Sequence, residues 1–456
     1  MRSIAAAAGA LALAGFSGGA FAVDYEKPVV DSVASYAKPG EFSGITLNIA
    51  CRSLPAMDFI SSHKEIFEKA TGAQIKYTNY PENDLRSKIV ADAANHVGGF
   101  QVYCLDNNYI PLFASNKWVA PIDSEIKPEY KIDDIFASLK TSYSWQGALF
   151  GVPIYSEVTI LYYRKDLFDG AGLKAPATLD ELEADAAKLT KPPQVFGIAL
   201  RGLRGEGMNV YIWTEWMRSY GADFLDPKMH PVFDSPEAIE GTEHYGDLLK
   251  KYGSPGNGTW GWDKVSSAFA AGRVAMIVES TAFYPVFSDP KQSSIVGKVG
   301  YSVVPAGPKG AFPANYSIGL AIPSTVDTKG KTFAAAAAFL QWATSQEMEF
   351  ARTDKDIGNE DRKSVNQSDL LKSKIDAGYI KAVSDGQAIT KTQYRPMIPQ
   401  WREMGDIIGA EIEAYFTGGK SAKDALTAAA AETTARFKEQ GVYDTPRAYP
   451  EVFPDK

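Results

Sequence analysis

Four histidines, His63, His96, His230 and His244, are the only imidazoles in the chain, and their placement removes most of the chemistry that imidazole performs. None pairs with another at helical spacing, and none stands in a His-x-x-x-His or Cys-x-x-Cys setting, so no zinc or other transition-metal site is expected. No Gly-x-Ser-x-Gly elbow presents a nucleophilic serine, and no Gly-x-x-x-x-Gly-Lys-Ser/Thr loop offers a phosphate cradle. Gly202-Leu-Arg-Gly205-Glu-Gly207 is glycine-rich, but its order is wrong for a dinucleotide site and it reads as an ordinary loop. Tyr162-Tyr163 would bind ferric iron only if both rings reached one ion, and neighbours in a strand point to opposite faces. One enzymatic chemistry stays open among the 55 carboxylates: an acid pair ~5–10 Å apart could cleave a glycosidic bond. Nothing in this inventory calls for a cofactor.

The elements around these residues alternate. Ile45–Ala50, Gln74–Tyr77 and Phe100–Leu105 read as strands, separated by helices over Phe59–Ala70, stopped by Gly72, and over Asp84–Ala94. Strand–helix–strand at this rhythm means βαβ units, a parallel sheet and right-handed crossovers. A strand pair is expected at Phe150–Pro153 and Thr159–Tyr163, after a polar leader that precedes the first strand. Thr178 caps a helix over Leu179–Leu189, with Glu181 three residues on in capping-box position. Val195–Leu200 is a strand and Val210–Tyr220 a helix. Ser254–Thr259 is a loop, and Phe269–Val278 passes from a helix end through Gly272 into a strand. Helices over Thr332–Thr344 and Asp424–Glu439 leave the last third α-rich. The fold class is α/β.

The 456 residues are 45% hydrophobic and carry 47 Lys plus Arg against 55 Asp plus Glu, a net charge of −8, so a nucleic-acid partner is not expected. Arg2, the apolar run Ile4–Phe16 and the small-x-small end Ala20-Phe21-Ala22 form a secretory signal peptide over residues 1–22, cleaved after Ala22. Ser17-Gly18-Gly19 interrupts that run, which is too short to anchor in a bilayer. In an exported chain, Cys51 and Cys104 can form a disulfide; two buried free thiols fit the sequence equally well.

Several stretches, in order, resemble the extracellular solute-binding proteins of family 1, the carbohydrate-binding subunits of ABC importers. They are Phe67-Glu-Lys-Ala-Thr-Gly72, Gly147-Ala-Leu-Phe-Gly-Val-Pro153, Tyr155-Ser-Glu157 and Leu161-Tyr-Tyr-Arg-Lys-Asp-Leu-Phe168. Then come Pro176-Ala-Thr-Leu-Asp-Glu-Leu182, Ala268-Phe-Ala-Ala-Gly-Arg-Val-Ala-Met276, Val304-Pro-Ala-Gly307, Ser317–Ile322, Arg395–Trp401 and Ser421–Leu426. The resemblance implies the two-lobed periplasmic-binding-protein fold, each lobe a mainly parallel sheet flanked by helices, with a hinge between. Lobe 1 would comprise residues 23–155 and about 304–345, and lobe 2 residues 156–303 and about 346–456, with the ligand in the cleft. Relatives often carry Gly-Trp after the Ala-Met strand; here Val278-Glu-Ser-Thr-Ala-Phe-Tyr284 makes Phe283 the expected substitute for that stacking aromatic. Arg362-Lys-Ser-Val365 and Arg395-Pro look most like members that bind sugar alcohols or small glycosides.

In open parallel sheets, ligands sit beyond the carboxyl ends of strands. The candidate contacts are therefore Arg52 and Ser53 after strand one, and Asp106 and Asn107 after strand three. Tyr155 and Glu157 fall at the first hinge crossing, Glu279 and Ser280 at the cleft from the second lobe, and Asn315 and Tyr316 just before the Ser317–Ile322 strand. Arg204 and Arg395 could answer hydroxyls, and Trp213, Trp260, Trp262 and Phe283 are candidates for stacking on sugar C–H faces. Trp118, Trp145, Trp342 and Trp401 are assigned to the core.

The reading implied is a periplasmic protein that captures a sugar, sugar alcohol or small glycoside by hinge closure. It acts as a monomer, without cofactor, metal or reaction, and delivers its ligand to the membrane permease of an ABC importer. Two alternatives stand beside it: a binder of an amine or other non-carbohydrate solute, and, more remotely, a secreted glycosidase.

Overall fold

The computed structural model describes residues 24–355, 358, 361–391 and 393–444; the signal peptide expected at residues 1–22 lies outside them. Ten strands are β1 (Thr46–Cys51), β2 (Gln74–Asn79), β3 (Val102–Asp106), the short hairpin β4 (Ser144–Trp145) and β5 (Ala148–Leu149), β6 (Gly151–Arg164), β7 (Phe196–Ala199), β8 (Val274–Ser280), β9 (Val299–Ser302) and β10 (Asn315–Ala321). Eight of them form one sheet, seven along the path β2-β1-β3-β10-β6-β8-β7 and the eighth, β9, off that path on β6. The βαβ pairings β1–β2, β1–β3 and β7–β8 are parallel. The ladders that join the two ends of the path, β3–β10, β10–β6, β6–β8 and β6–β9, are antiparallel.

The expected strand pair at Phe150–Pro153 and Thr159–Tyr163 is instead one strand of 14 residues. Ile154-Tyr-Ser-Glu-Val158 holds no Gly, Pro, Asn or Asp to turn the chain, so the extended backbone runs through. Its first half pairs with β10 and its second half with β8 and β9. Val152 and Ile154 thus enter one core, built on residues 29–155 and 318–351 with Met397. Farther along β6, Leu161 faces a second core while Val158, Ile160 and Tyr162 face a third. The second and third cores cover opposite faces of the β6–β8–β7 region, which is the two-residue alternation of a strand buried on both sides. Tyr162 and Tyr163 accordingly sit against different cores.

The polar leader is also corrected: Glu26–Tyr36 is a helix that buries Val29, Val33 and Tyr36. Those three apolar positions at helical spacing are too few among polar neighbours to stand out, and packing on helices Pro55–Thr71, Lys331–Ala343 and Gln346–Asp354 fixes the segment. Gly72 ends its helix in the left-handed region, at φ +76°. Thr178 caps Leu179–Leu189 by accepting from the Glu181 N–H at 3.2 Å, while the Glu181 carboxylate takes the Ala177 N–H at 2.7 Å. Helices Trp401–Phe416 and Ala422–Glu439 pack together in the second core. Among the described residues, no helix is long and apolar enough to cross a membrane.

The register of β1 on β3 pairs Ile49 with Val102 and Ala50 with Tyr103, so the next step sets Cys51 beside Cys104. The two are bridged, both buried, and no free cysteine remains among the described residues. The bridge closes a loop across 53 residues, which by chain entropy stabilises the fold by up to ~4 kcal/mol. Reduction, or Cys51→Ser with Cys104→Ser, is expected to lower the thermal midpoint by several degrees. An unchanged midpoint under complete reduction would show that the bridge contributes nothing.

Candidate functional site

The face common to β10 and β6 is set by their register. Tyr316 lies opposite Glu157, and Ile318 lies between Asp106 on one side and Tyr155 on the other. With period-two alternation, Tyr316, Glu157, Tyr155 and Asp106 therefore share one side of the sheet. Arg52 follows β1 directly, Asp106 ends β3, Glu279 and Ser280 end β8, and Arg201 stands just past the end of β7. All these carboxyl ends open on the same region.

On the first side, Asp106 is the hub. Arg86, from helix Glu82–Ala94, donates Nε to its Oδ2 at 2.7 Å, the Tyr316 hydroxyl donates to Oδ1, and Arg52 Nη2 donates to the Tyr316 oxygen at 2.7 Å. Burial opposes the charge on Asp106, but the Arg86 and Arg52 guanidiniums and the Tyr316 hydroxyl outweigh it and hold the carboxyl below its ordinary range. On the second side, Arg201 forms a fork on fully buried Glu279, with Nε to Oε1 at 2.7 Å and Nη2 to Oε2 at 2.6 Å. The Ser280 N–H adds a bond at 2.9 Å, and Arg201 Nη1 reaches the Gly207 carbonyl at 2.9 Å. The Tyr211 ring lies between two cations, 4.9 Å from the Arg201 guanidinium and 5.1 Å from that of Arg395.

Glu157 stands between the two sides. It accepts from the Tyr155 hydroxyl at 2.9 Å and the Tyr211 hydroxyl at 3.4 Å. Burial raises its pKa, against the pull of Ser280, Arg201 and Tyr155 and with the help of neighbouring Glu279. The result is a surface of fixed donors and acceptors in which each carboxylate already has a cationic or hydroxyl partner. Such a surface suits a ligand rich in hydroxyls, each able both to donate and to accept. Among the described residues, no group of His, Cys, Asp and Glu could hold a metal ion.

Of the residues expected from sequence, Arg52, Asp106, Tyr155, Glu157, Glu279, Ser280 and Tyr316 come together here. Others stand elsewhere. Ser53 donates to Asp58 at 2.6 Å in an exposed helix start. Asn107 accepts from the Ser317 N–H at 3.3 Å, and Asn315 donates to Thr390 and the Lys391 carbonyl. Both asparagines are thus engaged within the protein, and both line one recess with Glu157 and Tyr316. Arg204 is exposed beside Glu413. Trp213 is in the second core with its indole N–H on Thr242 at 2.8 Å, because helix Asn209–Ser219 is buried all round. Trp260 packs half-buried on the third core. Trp262, 38% exposed, stacks on Phe283 at 5.8 Å. Arg395 is held by Glu206 at 2.8 Å, and Trp401, in the second core, also donates its indole N–H to Glu206.

Sequence reasoning missed Arg86, Arg201, Glu206 and Tyr211. The after-strand rule that selects Arg52 and Asp106 selects Arg201 equally, while Tyr211 needed the knowledge that its helix opens onto the cleft. Glu157 and Tyr316 also line a recess that they share with Asn107, Phe136, Asn315 and Gln387.

Residues 57–349 match the family described as bacterial extracellular solute-binding protein. The mannitol-binding protein of Pseudomonas aeruginosa is 29% identical over 415 residues, covering 87% of this chain and 94% of its own. The erythritol/L-threitol-binding protein of Mycolicibacterium smegmatis is 24% identical over 86% of each chain. Among solved structures, an ABC transporter solute-binding protein from Agrobacterium radiobacter K84 in complex with ribitol superposes with a TM-score of 0.80 at 28% identity, over 88% of this chain and all of the other. Another, from Agrobacterium vitis S4 with bound D-mannitol, gives 0.77 at 28% identity, over 87% of this chain and 99% of the other. The chain belongs to the bacterial extracellular solute-binding family, with its two-lobed fold.

Behind the site, buried Glu215 accepts from Thr159 of β6 and from the Ala314 N–H before β10. Burial outweighs the Thr159 and Ala314 hydrogen bonds and the pull of Arg201, and pushes its carboxyl up from 4.5 to about 8. The folded chain therefore keeps a proton that the unfolded chain loses above pH 4.5. The group's contribution is fully present below that pH and is lost as pH rises toward 8, at no more than ~1.4 kcal/mol per unit. Glu215→Gln cannot titrate, so its stability should gain steadily on the wild type between pH 5 and 8 in urea denaturation. Parallel curves would contradict this assignment.

Proposed function

We propose that this bacterial extracellular solute-binding protein captures an uncharged polyhydroxylated solute, a sugar alcohol before a sugar, and hands it to the permease of an ABC importer. One observation carries the reading: Arg52, Asp106 and Tyr316 face Glu157, Arg201 and Tyr211 across the common side of β6 and β10. These groups answer hydroxyls from both directions, and their charges are already matched within the protein, so a charged ligand is not required. The mannitol-, ribitol- and erythritol-binding names of similar proteins agree with this chemistry. An amine would need unmatched carboxylates in an aromatic cage, and here Asp106 and Glu279 are each held by arginine.

The lobes would be residues 23–155 with about 304–345 and residues 156–303 with about 346–456, helix Gln346–Asp354 riding on the first core. Strand β6 and β10 form the hinge. A solute touching both sides only when they close shifts the population toward closure, and the importer reads the closed shape. Moving that balance from 1:99 to 99:1 takes ~5.5 kcal/mol of differential affinity, within reach of several hydroxyl pairs. The protein would act as a monomer in the periplasm, cleaved after Ala22, and carry out no reaction.

A thermal-shift panel on the mature chain from Val23 tests this, using mannitol, ribitol, erythritol, maltose and a set of amines. A polyol at a hundred times its dissociation constant should add ~2.7 kcal/mol of stability. Asp106→Asn should weaken that solute by roughly 5- to 150-fold, the effect of stranding a buried partner at ~1–3 kcal/mol. A shift with amines alone, or none with any solute after denaturing mass spectrometry shows an empty protein, would overturn the reading.

A further inference from the structure

Glu206, in the glycine-rich loop Gly202–Gly207, is a buried carboxylate on which both sides of the cleft converge. From its own side, Arg395 Nη1 donates at 2.8 Å and Trp401 Nε1 at 3.2 Å. From the other side, Asn108, just after β3, donates Nδ2 at 3.3 Å, and Arg86 Nη1 lies 3.8 Å from Oε1. The loop is held by helix Trp401–Phe416, whose glycines let it approach closely. A Cβ on Gly405 would stand 2.5 Å from Glu206 Cβ, and one on Gly409 would stand 2.6 Å from the Gly205 nitrogen. Glu206 is thus held in place from its own side by Arg395, Trp401 and the close packing of its loop.

We propose that Glu206 is a clasp between the lobes, made by the protein itself and not by the solute. Asn108 and Arg86 ride with the first core, whose members Tyr109, Leu85 and Ile89 flank them, while Arg395 and Trp401 ride with the second. Opening separates the first pair from Glu206 and leaves it with the second, so the carboxylate is never stranded and the contact is reversible. Glu206 is then a positioning residue. It sets how much of the free protein is closed, and the apparent dissociation constant scales inversely with that fraction. This rests on the hinge-closure reading above.

The test uses the full mature chain, freed of solute, with nitroxide labels at exposed Val97 and Val296 on the two sides. In wild type, part of the distance distribution should be short; Glu206→Gln and Asn108→Ala should each deplete that part. For two polyols that bind, both variants should raise the dissociation constant by about tenfold, with the ratio between the polyols unchanged. The double variant should be no worse than the more severe single one. Unchanged distances overturn the clasp, and so does a changed polyol ratio, which would place Glu206 on the solute. If Glu206→Gln fails to fold, Asn108→Ala carries both readouts. If no polyol binds, the proposed function fails while the distance measurement still decides the clasp.

Discussion

Strand β6 belongs to more than one core at once. Its first residues pack with Val152 and Ile154 in the first core, and its last with Leu161 on one face and Ile160 and Tyr162 on the other. A strand anchored at both ends by apolar burial cannot slip by one residue without turning every side chain to the wrong face. Glu157 and Tyr155, midway along it, are therefore held in register by contacts far from them. Through the β10 ladder the same register fixes Tyr316, and through β3 it fixes Asp106. The polar surface owes its geometry to apolar anchoring on either side.

That surface is costly to build. Taking Glu279, Arg201, Asp106 and Arg86 out of water carries a large desolvation penalty, offset only by close pairing. The fork of Arg201 on Glu279 and the Arg86 contact on Asp106 supply it. The Tyr316 hydroxyl joins the Asp106 pair, and the Tyr211 ring packs under Arg201 while its hydroxyl reaches Glu157. A neutral ligand with many hydroxyls can join such a network without unbalancing it, whereas an added charge would have to break one of the existing pairs. Specificity by class follows from the closed charge balance.

Much of this was legible in the residues. The βαβ rhythm, the Thr178 cap and the stop at Gly72 are local signals, and the structure keeps them. So is the rule that ligands gather beyond strand ends, which selects Arg52, Asp106 and Glu279. The unbroken run of β6 was missed because apolar runs show where strands pack, not whether the backbone continues between them. The helix Glu26–Tyr36 was missed because tertiary packing, not propensity, holds it. Asn107 and Asn315 stand beside the same strands but are occupied with the Ser317 N–H, Thr390 and the Lys391 carbonyl, partners that sequence order does not show. Trp213 lies in a helix buried on every side, a fact of long-range packing. Glu206 carried no signal at all, since its partners Asn108, Arg395 and Trp401 are distant in sequence.

The most direct measurement is a crystal structure of the mature protein with the polyol that shifts its melting most. The account predicts density for an extended polyhydroxylated molecule between Arg52, Asp106 and Tyr316 on one side and Glu157, Arg201 and Tyr211 on the other. A ligand found elsewhere, touching none of these six side chains, would contradict it.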